Sequence, residues 1–296
     1  MPPPVPAPHE LMAPAPPLAT AHAAPSAASI PSVTATHEAG LGRIDLRQVS
    51  IRLGTGAASF LAVKDLSCTI AAGEFVCILG PSGCGKSTLL GAVAGHLAAE
   101  GQVLVDGRPV TGPDQERGLV FQQHSLFPWR TVLGNVAFGL KMRGVPGRER
   151  RERALEFIRL VGLEGFAHHY PSQLSGGMQQ RAEIARVLIT HPRVVLMDEP
   201  FGALDALCRL QMQELLLETW ARIQTTILFV THDIDEALFL SDRVLLMSHR
   251  PGRIDEVITP DFPRPRRPEL VTSERFVHHK RRCLDFLRQT APAPRP

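Results

Sequence analysis

The sequence predicts an α/β fold: a mostly parallel sheet with crossover helices, a small antiparallel β subdomain and an inserted α-helical subdomain. Three observations predict it. Short continuous apolar runs recur along the chain and read as strands buried on both faces. Stretches with plausible helical character lie between them, and strands alternating with helices imply crossover connections. Ahead of and between the first runs, segments that alternate apolar and polar residues read as half-buried antiparallel strands.

The elements follow in order. Residues 1–42 are rich in Pro and Ala and nearly uncharged. They lack the basic start and apolar stretch of a signal peptide and the arginines of a transit peptide, so they read as a disordered arm, with Met12 as an alternative start. A domain over residues 43–260 begins with Arg43–Leu53, which alternates through Ile44, Leu46, Val49 and Ile51 and reads as one strand or two. Val63–Ile70 and Gln102–Val110 complete the antiparallel set, with Asp106-Gly107 as a hairpin signal. Parallel strands are expected at Phe75–Leu79, Leu119–Phe121, Val194–Met197, Ile227–Val230 and Val244–Met247. Helices are expected at Lys86–Leu97, Arg150–Val161, Gly176–Ile189, Leu207–Arg222 and Ile234–Leu240. The stretch from about 124 to 190 is mostly helical and forms the insertion. Residues 261–296 read as a stiff basic linker, Pro263-Arg264-Pro265-Arg266-Arg267-Pro268, and a terminal helix. Phe276, Val277, Cys283, Leu284 and Leu287 fall on one face of that helix, which is expected to pack on the chain's own domain.

Composition narrows the function classes. A net charge of +3, spread along the chain, argues against nucleic acid as a partner. The five cysteines show no metal-binding spacing and read as reduced thiols. No apolar run approaches the roughly 18 residues that cross a bilayer, so a membrane role requires a partner.

The chemistry-bearing residues form three blocks. Gly80-Pro81-Ser82-Gly83-Cys84-Gly85-Lys86-Ser87, followed by Thr88, sits between an expected strand and an expected helix. That is the context a GxxxxGK[ST] phosphate loop requires. Gly80, Gly83 and Gly85 lack Cβ, so the backbone can wrap a phosphate, helped by the positive end of the helix. Lys86 is expected to hold the β- and γ-phosphates and Ser87 to coordinate Mg²⁺. Cys84 lies beside Lys86 and a helix N-terminus, which favours thiolate, so its alkylation is expected to block nucleotide binding. In the second block Asp198 ends an apolar strand, where it can serve the metal. Glu199 points elsewhere by the two-residue strand period and can act as base on the attacking water. The third block, Leu174-Ser175-Gly176-Gly177-Met178-Gln179-Gln180-Arg181, opens a helix whose N-terminus is a second anion-binding end. One nucleotide can therefore be gripped by Lys86 of one molecule and Ser175 of another.

Together the three blocks resemble the nucleotide-binding subunit of an ABC transporter, over about residues 43–252. The resemblance implies a P-loop NTPase core, the ABC nucleotide-binding domain. It implies a homodimer in which two subunits pair head to tail around two ATP molecules. The residues from Gly80 to Thr88 of one subunit, with Ser175, Gly176, Gly177, Gln179 and Asp205, are then the nucleotide-binding set. Lys86, Gln122, Glu199 and His232 are the catalytic set, and Ser87, Gln122 and Asp198 hold Mg²⁺. Gly202-Ala203-Leu204-Asp205 matches the loop that crosses the dimer, and His232 matches the histidine that contacts the γ-phosphate. One position departs from the family: Leu53 stands where an aromatic residue stacks on adenine, and Phe60 is the nearby substitute.

Further strings, Gly112 to Gly118, Ser125-Leu126-Phe127-Pro128-Trp129 and Phe201 to Ala206, resemble the nitrate/sulfonate/taurine group of bacterial importers. That implies an integral membrane permease as direct partner, a periplasmic solute-binding protein as indirect partner, and a peripheral place on the cytoplasmic face of the inner membrane. In the family the segment around Trp129 meets a short helix of the permease; the alternative is a residue of the subdomain core. The cargo reads as taurine or another organosulfonate, with nitrate, bicarbonate-like anions and pyrimidine precursors as alternatives. A non-transport ABC ATPase acting on ribosomes or DNA usually carries two cassettes or a long coiled-coil insertion, and this chain has one cassette and no sustained heptads. A regulatory homologue without hydrolysis is expected to lack Lys86, Glu199 or His232, and all are present.

Overall fold

A computed structural model of the chain describes residues 41–290, His124 and Ala203 excepted. The arm expected at residues 1–42 lies, but for its last two residues, outside the described part.

Two sheets form the frame. The first pairs β1 (Ile44–Leu53), β2 (Phe60–Ile70), β4 (Glu100–Val105) and β5 (Arg108–Pro109) in the order β2-β1-β4-β5, antiparallel throughout. β1 is one strand, bent by register shifts between Leu46 and Ile51. The Asp106-Gly107 turn takes positive φ at both residues, 51° and 74°, which suits the twist of a two-residue hairpin.

The second sheet runs β10-β9-β3-β8-β7-β6. Its strands β3 (Phe75–Leu79), β6 (Arg117–Val120), β7 (Val194–Asp198), β8 (Thr226–Thr231) and β9 (Arg243–Met247) are parallel, as the apolar runs imply. The reason for continuous apolarity is visible in the packing. Phe75, Cys77 and Leu79 enter one core with α6 (Ala206–Ile223), α7 (Ile234–Leu240) and the C-terminal helix α8 (Glu274–Thr290). Val76 and Ile78 enter another with α1 (Lys86–Ala94) and the antiparallel sheet. β10 (Ile254–Ile258) was not anticipated: it is a short edge strand, antiparallel to β9, with only Ile258 fully buried.

α1 stops three residues before the expected end because Gly95 takes φ 85° and caps it; a side chain there would strike the Gly112 carbonyl. The insertion contains α4 (Gly147–Leu160), α5 (Gly176–Leu188) and two unexpected five-residue helices, α2 (Val132–Val136) and α3 (Phe138–Met142). Their anchor is buried Asn135. It donates to the carbonyls of Phe127, Arg130 and Thr131 and accepts from the Phe127 amide, 2.7–3.1 Å. These contacts, shared among two N–H donors and one carbonyl oxygen, hold the segment before α2 in place.

The expected basic linker is instead anchored to the domain. Arg264 pairs with Asp242 and donates to the Leu240 carbonyl. Arg266 is buried and donates to the carbonyls of Leu238, Phe239 and Ser241 at the end of α7, a C-terminus that favours a cation. Burial brings its pKa down to about 10. α8 then packs on the domain through Phe276, Cys283 and Phe286, with Leu287 beside them. Phe286 belongs to that face and was not anticipated.

Candidate functional site

β3 delivers the chain into residues 80–85, and α1 starts at Lys86. Gly85 is the helix N-cap with φ 105°, a conformation that side chains resist. The glycines also answer to packing. A Cβ on Gly80 would come within 2.5 Å of the Met247 carbonyl, and one on Gly85 within 2.9 Å of the Ala62 carbonyl. The Lys86 ammonium is buried and donates to the carbonyls of Gly80 (2.8 Å) and Pro81 (3.0 Å). An ammonium has three donors and these use two. Among the described residues it makes no ion pair. A buried charge with a spare donor and no ion-pair partner in contact fits a phosphate group. Ser82, Gly83, Gly85, Lys86, Ser87 and Thr88 face a cavity of about 200 Å³ with Glu199 on its wall.

β7 carries the acidic pair to the same sheet edge. The Ser87 hydroxyl donates to Asp198 Oδ1 at 2.9 Å, 111 residues away in the chain. A hydroxyl beside a carboxylate is the hard oxygen set that Mg²⁺ takes. Burial pushes the Asp198 carboxyl above its usual range, and Glu199 adds to this, while Ser87 and Lys86 oppose it. A bound cation would favour the ionised form. Glu199 does diverge from Asp198, but not by strand alternation. It lies beyond β7 with φ 45°, and this left-handed turn redirects its side chain. Such backbone costs about 1–3 kcal/mol and gathers at functional sites. Glu199 Oε2 lies 3.0 Å from His232 Nδ1 and accepts from Gln122 Nε2 at 3.4 Å. Gln122 sits two residues past β6 and His232 directly after β8, so three adjacent strands bring these groups together.

The expected second anion-binding end stands apart. Ser175 caps α5, its hydroxyl accepting from the Met178 amide at 3.4 Å. Asp205 caps α6, accepting from the Cys208 amide at 3.0 Å. Gly177 lies close to Leu204, so these two elements neighbour each other. Among the described residues none of Ser175, Gly176, Gly177, Gln179 and Asp205 lines the cavity at Lys86. The Gln179 amide points into its own chain and donates to the carbonyls of Pro171 and Leu174. Ala203, within the expected crossing loop, lies outside the described residues.

Cys84 requires a correction. Its side chain is fully buried, and desolvation raises the thiol pKa more than the nearby Lys86 lowers it. Helix end and lysine promised a thiolate; burial wins. N-ethylmaleimide at neutral pH is therefore expected to leave Cys84 unlabelled with or without MgATP. Peptide mass spectrometry reads this directly, and nucleotide-protected labelling of Cys84 would restore the thiolate reading.

Other contributors escaped sequence reasoning. Arg209 on α6 bonds the Leu204 carbonyl and Asp233, both at 3.1 Å. Asp233 caps α7, and Thr231 Oγ1 accepts from its amide at 3.0 Å while donating to buried Glu236 at 2.6 Å. These bonds fix both flanks of His232. Only the Asp-x-x-Glu spacing of Asp233 and Glu236 hinted at this, as a capping box, and Glu236 turns to Thr231 instead. Arg250 also reaches the cavity, from the loop between β9 and β10. Trp129 is 71% exposed and packs tilted against Phe127, centroids 5.6 Å apart, so the subdomain-core alternative fails.

Known proteins are similar to this chain. The sequence pattern of the ABC transporter family matches residues 63–202. An uncharacterised ABC transporter ATP-binding protein of Methanocaldococcus jannaschii is 51% identical over 228 residues, 77% of this chain and 84% of that protein. A taurine import ATP-binding protein, TauB, of Rhizobium johnstonii is 56% identical over 191 residues, 64% of this chain and 73% of that protein. Among solved structures, a dimeric ATP-binding cassette in a post-hydrolysis state, bound to ADP and Pi, superposes with a TM-score of 0.66. It is 35% identical, covering 73% of this chain and 98% of that one.

Proposed function

This chain belongs to the ABC transporter family, and from that membership we propose that it is the ATP-binding and ATP-hydrolysing subunit of a bacterial importer. The observation that carries the reading is the convergence at one sheet edge of a buried Lys86 that makes no ion pair among the described residues, the Ser87–Asp198 pair and the Glu199–His232–Gln122 group. Lys86 and the loop from Gly80 to Thr88, through its backbone N–H groups other than at Pro81, hold the phosphates. Ser87, Asp198 and Gln122 are the residues for Mg²⁺, which when bound neutralises phosphate charge. Glu199, oriented by His232 and Gln122, takes the proton of the attacking water.

A second copy completes the site. Ser175, Gly176 and Gly177 stand apart from Lys86 within one chain, which supports their acting on a partner's nucleotide, with Asp205 beside them. Binding ATP more tightly in the closed pair than in the open one is what lets the nucleotide drive closure. We assign residues 43–260 to the ABC ATP-binding domain, with the helical subdomain at about 124–190. Among the described residues no helix is long and apolar enough to cross a membrane. The exposed Trp129 on its anchored segment supports docking to a permease on the cytoplasmic face. Relatives named for taurine import support an organosulfonate as cargo, delivered by a periplasmic binding protein.

Uptake of labelled taurine, an alkanesulfonate and nitrate by cells carrying Lys86→Ala at the native locus tests this. Selective loss of sulfonate uptake to background is expected. Loss of nitrate uptake alone would reassign the cargo, and unchanged uptake across a wide solute panel would favour a non-transport ATPase.

A further inference from the structure

The cavity at the phosphate loop has a cation that the proposed chemistry does not use. Arg250 Nε donates to the Gly83 carbonyl at 2.7 Å, and its guanidinium lies over the Phe60 ring, 4.8 Å from the centroid. Arg250, Phe60 and Leu53 line the same cavity as Lys86 and Ser87. Gly83 has φ 76°, and a Cβ there would come within 3.2 Å of Arg250 Nη2, so the close approach of the arginine depends on that glycine. Among the described residues Arg250 makes no ion pair.

These contacts bear on how a nucleotide base is held. Leu53, at the end of β1, has no π face. Phe60 has one, 39% exposed, but Arg250 lies across it. What the cavity meets is a planar guanidinium backed by a ring. Guanidinium planes are delocalised and weakly hydrated, and bases stack on them. The ring and the Gly83 carbonyl already restrict this side chain, which reduces the entropy lost when a base settles on it.

We propose that Arg250, backed by Phe60, is the platform on which the nucleotide base stacks; this rests on the ATP-binding reading above. Arg250 thereby replaces an aromatic residue at the position of Leu53. Leu53, Phe60 and Ala62 offer no side-chain hydrogen bond to a base edge, so stacking area sets preference. Purines bind better than pyrimidines, and adenine and guanine bind alike.

Calorimetric titration of the full chain with MgADP, MgGDP, MgCDP and magnesium tripolyphosphate tests the proposal. Arg250→Ala and Arg250→Lys are expected to weaken MgADP about tenfold, with tripolyphosphate staying within about twofold of wild type. Phe60→Ala is expected to weaken MgADP in the same direction by removing the backing. Retained tripolyphosphate binding also shows that each variant is folded. Wild-type MgADP affinity in Arg250→Lys would overturn the proposal, and so would an equal loss of tripolyphosphate, which would make Arg250 a phosphate contact. If the wild type bound neither MgADP nor tripolyphosphate, the ATP-binding reading itself would fail and this inference with it. If the wild type binds both and the variants match it, only this inference falls.

Discussion

Replacing Glu199 with Gln is expected to reduce ATP turnover by about 10²–10⁴-fold, the range that a positioned general base supplies. The substitution keeps the shape of the side chain and removes its ability to take a proton. It leaves the backbone as it was, because Glu and Gln face the same penalty at φ 45°. The melting temperature without nucleotide should therefore stay near wild type. Gln122 and His232 still flank the new amide, so the phosphate loop and the pocket for ATP persist. Binding without hydrolysis has a further consequence. On the proposed reading a closed pair of subunits is favoured by the nucleotide it encloses, and only hydrolysis removes that preference. Glu199→Gln is thus expected to accumulate as an ATP-bound dimer on size-exclusion chromatography, while wild type returns to monomer. Single-turnover phosphate release gives the rate. Normal hydrolysis by this variant would remove Glu199 from the role of base.

The same residue shows where sequence reading stops. Asp198 and Glu199 stand out as acids after an apolar strand, and their divergence was expected from strand alternation. The divergence comes from a left-handed backbone step after β7, which no local pattern encodes. The loop from Gly80 to Gly85 was legible because its residues are contiguous and its flanks, β3 and α1, follow from unbroken apolar and helical character. β10, α2 and α3 were not, being short; β10 depends on β9, and α2 on the bonds from its own Asn135 to the preceding segment. Long-range contacts are silent in the same way. Arg250 meets the loop 167 residues from Gly83, and Arg266 finds three carbonyls of the α7 terminus 25–28 residues upstream. Cys84 misled because its neighbours in sequence favour a thiolate while its burial, a property of the whole fold, does the reverse.

Lys86→Ala is expected to separate folding from binding. In the free protein the ammonium bonds two loop carbonyls and among the described residues makes no ion pair, so the penalty of burying its charge is only partly offset by Asp198. Removing it deletes that penalty and leaves the carbonyls without their donor, effects of opposite sign and similar size. The melting temperature without nucleotide should hence move little. With nucleotide the balance is one-sided. Charge-assisted bonds contribute about 1.5–3 kcal/mol each, so losing the lysine from two phosphates should weaken MgATP by roughly a hundredfold or more. At a concentration 100 times the wild-type Kd, ligand stabilises the native state by about 2.7 kcal/mol; after a hundredfold loss of affinity the same concentration gives only about 0.4 kcal/mol. For a domain of this size the first corresponds to a shift of roughly 5–10 °C and the second to about 1 °C. Melting curves with and without MgATP, measured on both proteins, test this. A nucleotide shift retained in Lys86→Ala would place phosphate recognition elsewhere in the loop. A collapse of the nucleotide-free melting temperature would mean that Lys86 is part of the structural core rather than a charge held ready for phosphate.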